Sequence, residues 1–216
     1  LSDYEANISQ MATAVASDNK KMASFDCPWS IGVSPSEFAC SQHRMSDRYF
    51  LWGRWHHDLM NASNDKSSGH IIAGYIGDHH ISLMKTMGKK FRDKQLNKFN
   101  KIITVFDSGA SEDGHFPEDV YIEYVKAIML IAVEFNALVV LKIKKEVNER
   151  YADIIKSNDD GRLIIHNEKG SLVSALNSDV VIGVSTSSPT SISAVHGKQV
   201  ILYDPNKQVW DKWESY

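Results

Sequence analysis

VVIGVSTSSPTSISAVHGKQVILYD, residues 180–204, decides the fold of this chain. Its first five residues form a short apolar run without the polar alternation of a strand that has one wet face, and the run stops at a Ser/Thr-rich turn. Pro189 falls where a helix would begin, a position that suits a residue with no backbone N–H to offer. The helix closes near His196 and Gly197, and QVILYD opens another apolar strand. Strand, polar turn, helix and strand in succession make the repeating unit of a parallel sheet covered by helices.

The same alternation runs upstream. IITVFD (residues 102–107) reads as a buried strand closed by a Ser/Gly/Asp cluster. Pro117, Glu118 and Asp119 start a helix, because proline fits the first turn and acids favour the positive end of the helix dipole. That helix continues through YIEYVKAIMLIAVEF, with apolar residues at three- and four-residue steps. ALVVLKIK (137–144) is the second strand and EVNERYADIIKS (146–157) a second amphipathic helix, stopped by NDDG. RLIIH (162–166) is the third strand, and GSLVSALNS (170–178) a short helix before the strand DVVIGV (179–184). The fold class expected is α/β: a Rossmann-like parallel sheet covered by helices, with a partial second α/β domain before it.

The first hundred residues are less regular. A helix is expected over residues 4–16, a strand at RYFLWG (48–53) followed by a helix around HHDLMNA, and a further strand at HIIAGYIGD (70–78) that ends in glycines. Residues 1–69 are read as the remnant of an N-terminal α/β domain, 70–101 as an inter-domain crossing and 102–216 as the ligand-binding domain. The opening segment has neither the basic start nor the apolar centre of a secretory signal, and the chain is expected to be part of a longer one.

Composition narrows the function. A net charge of −3 shows no basic excess, so nucleic acid is not the expected partner. No apolar run approaches the ~18 residues needed to cross a bilayer. Cys27 and Cys40 form no CxxC pair and no His/Cys cluster, which argues against a disulfide framework or a zinc site and fits a reducing cytoplasm. The pairs His56–His57 and His79–His80 are poor chelators, since adjacent residues point apart on a helix or strand, and no metal is expected. Tyr49, Phe50, Trp52 and Trp55 read as core packing rather than a sugar-stacking platform.

In a parallel sheet, ligands gather at the C-terminal strand ends, where a loop opening a helix presents backbone N–H groups and a positive dipole end to an anion. Ser185, Thr186, Ser187, Ser188, Thr190 and Ser191 add hydroxyls there. The plain alternative is that these hydroxyls simply cap the helix. Two further loops and the end of the second strand share that edge. His166 and Glu168 lie in HNEKG, and Ser108 and Gly109 in DSGASEDGHF, which could cradle phosphate or be a solvated acidic turn. Lys142 and Lys144, two residues apart, would face one side of the sheet and could serve as point charges for a phosphate or carboxylate, or be solvated.

From residue 178 to 205 the sequence resembles the donor-binding part of GT-B glycosyltransferases, in which a strand, a Ser-rich turn, a short helix, a GK and a VI-Y strand follow in order. YFLWGRWHHDLM followed by IIAGYIGD resembles the domain junction of bacterial capsule and lipopolysaccharide transferases, and YEANISQMATAVAS a helix of their first domain. The resemblance covers most of the chain through loose motifs. It implies transfer of a sugar from a nucleotide-sugar donor to a saccharide or glycolipid acceptor, without a cofactor, in the cytoplasm or peripheral to the inner membrane.

By the same resemblance Ser185, Thr186, Ser187, Ser188 and Thr190 would contact the diphosphate and the HNEKG loop the nucleobase. Many relatives carry a ribose-binding glutamate where this chain has Ile192, and Glu168 is the nearest substitute. The catalytic base would come from the first domain and is not assigned, and the chain alone is expected to bind nucleotide weakly and turn over poorly. A nucleotide-sugar epimerase or a polyol-phosphate transferase would keep this fold. So would a non-catalytic flavodoxin-like module, although Asp107 stands without the clustered acids of a receiver.

Overall fold

A computed structural model describes residues 20, 23, 25–26, 47–54, 57–58, 61, 69–75, 77–106, 118–143, 161–166, 170–184 and 187–204. The chain divides into two compact units, Leu1–His79 and His80–Tyr216.

The first unit carries a parallel sheet of three short strands in the order β1-β2-β3: β1 (Phe25–Asp26), β2 (Arg48–Leu51) and β3 (His70–Ile72). Tyr49 and Leu51 alternate inward and are fully buried, as the period of two requires. Phe50 points the other way and stacks on Phe25 with ring centroids 6.0 Å apart. Past β2, Arg54, His57, Asp58 and Asn61 are helical, and Trp52 packs on Tyr75 at 4.9 Å. Trp55 lies outside the described residues, as does the helix expected over 4–16.

The second unit holds a five-stranded sheet, parallel throughout. Its elements are α1 (Ile81–Leu96), β4 (Lys101–Phe106), α2 (Glu118–Glu134), β5 (Ala137–Lys142), β6 (Leu163–His166), α3 (Ser171–Leu176), β7 (Val180–Val184), α4 (Ser188–Val195) and β8 (Gln199–Tyr203). The strand order is β6-β5-β4-β7-β8. This is the Rossmann-like α/β arrangement the alternation implies. The helix expected over 146–157 lies outside the described residues.

Burial on both faces explains why the central strands read as continuous apolar runs. Ile103, Val105, Val139, Leu141, Ile182 and Val184 share one core with Tyr124, Val125, Ile128, Met129 and Ala132 of α2. On the opposite face Ile102, Leu138 and Val140 pack with Phe99, and Phe106 and Val181 with Ala175 of α3. Arg162 fixes the exit of α2 by donating to the carbonyls of Ala132 and Ala137 and to Asn136 Oδ1, at 3.1–3.4 Å. A cation suits that negative helix end, and Asn136, at φ 45°, takes the left-handed turn out of the helix.

The stretch 70–101, read as a crossing, holds a strand and a helix. His70–Ile72 pairs into the first sheet, and Ile81–Leu96 is a helix of the second unit. That helix docks by a small residue and a charge rather than by an apolar stripe. Gly88 lies against the Asn177 side chain, and Arg92 grips Asp179 with Nη2–Oδ1 at 2.7 Å and Nη1–Oδ2 at 3.3 Å while also donating to the Asn177 carbonyl at 2.7 Å. Asp179 Oδ2 accepts from the Ile102 N–H at 2.8 Å, and Lys198 Nζ donates to the Ser178 carbonyl at 2.9 Å. One carboxylate thus ties α1, β4 and the start of β7 together.

Burial alone would raise the Asp179 pKa. The Arg92 and Ile102 hydrogen bonds and the charges of Arg92 and Lys101 outweigh it and hold the carboxyl below its usual range. Burial, with Arg92 and Lys85 nearby, lowers the Lys198 ammonium, partly offset by Asp179.

Candidate functional site

The strand order creates a switch point. The chain passes from β4 to β5 and β6 on one side, then crosses to β7 and β8 on the other, so the connections leaving β4 and β7 diverge from adjacent strand ends. A crevice outside the carboxyl ends of the strands, at such a reversal, is where open α/β sheets bind ligands. The paired residues at that edge run His166, Lys142, Phe106, Gly183 and Leu202 from β6 to β8. Of the two diverging connections, Ser187 and helix α4 are described. Ser108 and Gly109 after β4, and Ser185 and Thr186 after β7, lie outside the described residues.

Helix α4 opens with a closed capping box. Ser187 Oγ accepts from the Thr190 N–H at 3.4 Å, and Thr190 Oγ1 accepts from the Ser187 N–H at 3.1 Å. The Ser191 N–H donates to the Ser187 carbonyl at 3.0 Å, and Pro189 has no N–H. Ser193 Oγ donates back to the Pro189 carbonyl at 2.6 Å. The first turn is therefore largely satisfied from within. The first turn of α4 itself carries no acid.

The expected phosphate contacts separate accordingly. Thr190 is 1% exposed and its hydroxyl, like that of half-buried Ser187, serves the cap, whereas Ser188 and Ser191 are half-buried outside it. Ile192 is buried inside α4, so the position that carries a ribose-binding glutamate in the resembled family here faces the packed interior.

Lys142 closes β5 at the same edge and is 5% exposed, so the reading of it as a solvated strand-end lysine gives way to a buried cation one strand from the switch point. Ile102, Thr104 and Phe106 of β4 pair with Leu138, Val140 and Lys142, which places Lys142 on the sheet face that α3 helps cover. β5 ends at Lys142, and Lys144 lies outside the described residues. His166 ends β6 beside Lys142 in the register, while Glu168 lies outside the described residues.

The residues around Asp179 escaped the sequence reading. Asn177, Ser178 and Asp179 look like an ordinary helix-to-strand turn, and their partners Arg92 and Thr104 are 87 and 74 residues distant. They stand at the N-terminal edge of the sheet, opposite the crevice, and serve stability. Among the described residues no group of three His, Cys, Asp or Glu side chains could hold a metal ion. No helix among them is long and apolar enough to cross a membrane. No protein-family model matches the chain, and a search of curated proteins finds no match either.

Proposed function

We propose that the second unit binds the diphosphate of a nucleotide-sugar at its β4–β7 switch point, as the donor-binding half of a glycosyltransferase acting on a saccharide or glycolipid. The observation that supports this most is the reversal of strand order beside a helix that opens with serines and no acid. A departing nucleoside diphosphate gains negative charge as the glycosidic bond to it breaks. The α4 dipole, the half-buried hydroxyls of Ser187, Ser188 and Ser191, and the Lys142 ammonium would stabilise that charge, which favours the transition state over the bound donor. The acceptor's base is not assigned.

The closed capping box favours a second reading, in which α4 is only a capped helix and the unit is a non-catalytic binding module. Calorimetric titration with UDP, CMP, CDP, GDP and ADP separates the two, using the chain and its Ser188→Glu variant. An acid in the first turn favours the helix by about 0.3–1 kcal/mol yet repels a phosphate. The donor reading expects saturable binding of one nucleotide, weakened on the order of tenfold or more in a variant that melts no earlier. Binding of none, or equal binding by both proteins, would remove the switch-point site.

A further inference from the structure

We propose that α1 is a membrane-surface anchor, which lays its outward face on a bilayer rich in anionic lipid. The proposal stands apart from the donor site and does not require it. Leu83, Met87 and Phe91 succeed one another at four-residue steps, so they form a single column along α1. They are 57%, 62% and 37% exposed, although each is a large apolar side chain. Elsewhere around the helix, Ile81 and Gly88 are buried and Arg92 is clamped to Asp179. The column is thus held outward by the packing of the opposite face, not by chance rotamers.

Cations accompany the column. Lys90 and Lys94 fall beside it on the helix surface and Lys98 is exposed just past the helix end, whereas Lys85 and Lys89 lie on the far flank; the exposed acids are Asp93 on the helix and Asp78 before it. An apolar column edged by lysines matches the headgroup boundary of an anionic bilayer, where apolar side chains enter the acyl edge and lysine stems reach back to phosphate. A nucleic acid would satisfy the lysines but offers nothing to three adjacent apolar side chains. The net charge of the chain is −3, so the basic character of α1 is local rather than general. Other exposed apolar residues, such as Leu130, Val133 and Phe135 at the end of α2, lack this accompanying charge.

Flotation of the full chain with phosphatidylcholine vesicles, with and without about one-third phosphatidylglycerol, tests the assignment. Two variants accompany it, Leu83→Gln/Met87→Gln and Lys90→Glu/Lys94→Glu, which alter only exposed side chains and keep good helix formers. Binding is expected to the anionic vesicles, to fall on the order of a hundredfold with the charge reversal and on the order of tenfold with the glutamines, and to weaken with salt. Failure of the chain to float with anionic vesicles overturns the proposal, as does flotation that neither variant reduces. Size-exclusion chromatography covers the remaining case: a dimer that the glutamine variant splits, without vesicle binding, would make the column a contact between copies and refute the anchor.

Discussion

Replacing Gly88 by alanine tests how α1 is docked, because local preference and packing give opposite signs there. In an exposed helix interior the change would stabilise by about 1 kcal/mol, since glycine has the greater backbone freedom to lose. At this position a Cβ would stand 2.1 Å from Asn177 Nδ2 and 2.5 Å from its Cγ, far inside any van der Waals contact. Asn177 cannot simply swing aside. It is 8% exposed, and its Nδ2 donates to the carbonyls of Val173 at 2.8 Å and Met84 at 3.2 Å. Losing those two bonds removes about 2 kcal/mol, and the overpacking adds about 1–3 kcal/mol. Set against the propensity gain, the net expectation is a destabilisation of about 2–4 kcal/mol. Urea unfolding, with helicity read by circular dichroism, measures it. Asn177→Ala introduced on top should recover part of the packing loss, giving a non-additive pair. A Gly88→Ala variant as stable as the parent, or more so, would refute this account of the α1–α3 contact.

Three other outcomes follow from the same interactions. Asp179→Asn should destabilise by about 2 kcal/mol at neutral pH, between the value of an exposed ion pair and that of a fully buried one. The folded-state pKa of Asp179 lies below the unfolded value of 3.8, so this contribution is complete above that value and is lost as pH falls through the lower folded one. The gap between parent and variant in urea titrations should therefore close only below about pH 4; a constant gap down to the acid limit would contradict the sign. Ser187→Ala opens the capping box and should lower stability by about 1 kcal/mol, seen as faster amide exchange at Thr190 and Ser191, whereas unchanged exchange would mean the cap contributes nothing. Arg162→Ala should cost about 1–2 kcal/mol by freeing the α2 exit and removing the cation over the Phe99 ring 5.5 Å away, and Arg162→Lys should restore little of it; full rescue by lysine would show that charge alone matters there.

The sequence by itself determined the elements whose side chains repeat with a single period. IITVF, ALVVL and VVIGV are buried on both faces, so every residue carries the signal, and the strands stand within a residue or two of where the pattern puts them. Pro189 between Ser188 and Thr190 marked the start of α4 for an equally local reason, since the cap is made by residues three apart. Tertiary structure alone decided what depends on distant partners. The docking of helix α1 was hidden because its large apolar residues face outward while a glycine and an arginine dock it, so its apolar pattern does not mark the face that packs. The strand order, and with it the switch point, arises from β4 pairing with β7 rather than from any run of residues. The capping role of Thr190 and the burial of Lys142 belong to the same class. A hydroxyl or an ammonium is written identically in sequence whether it meets water, a ligand or the interior, and only the packing around it fixes which.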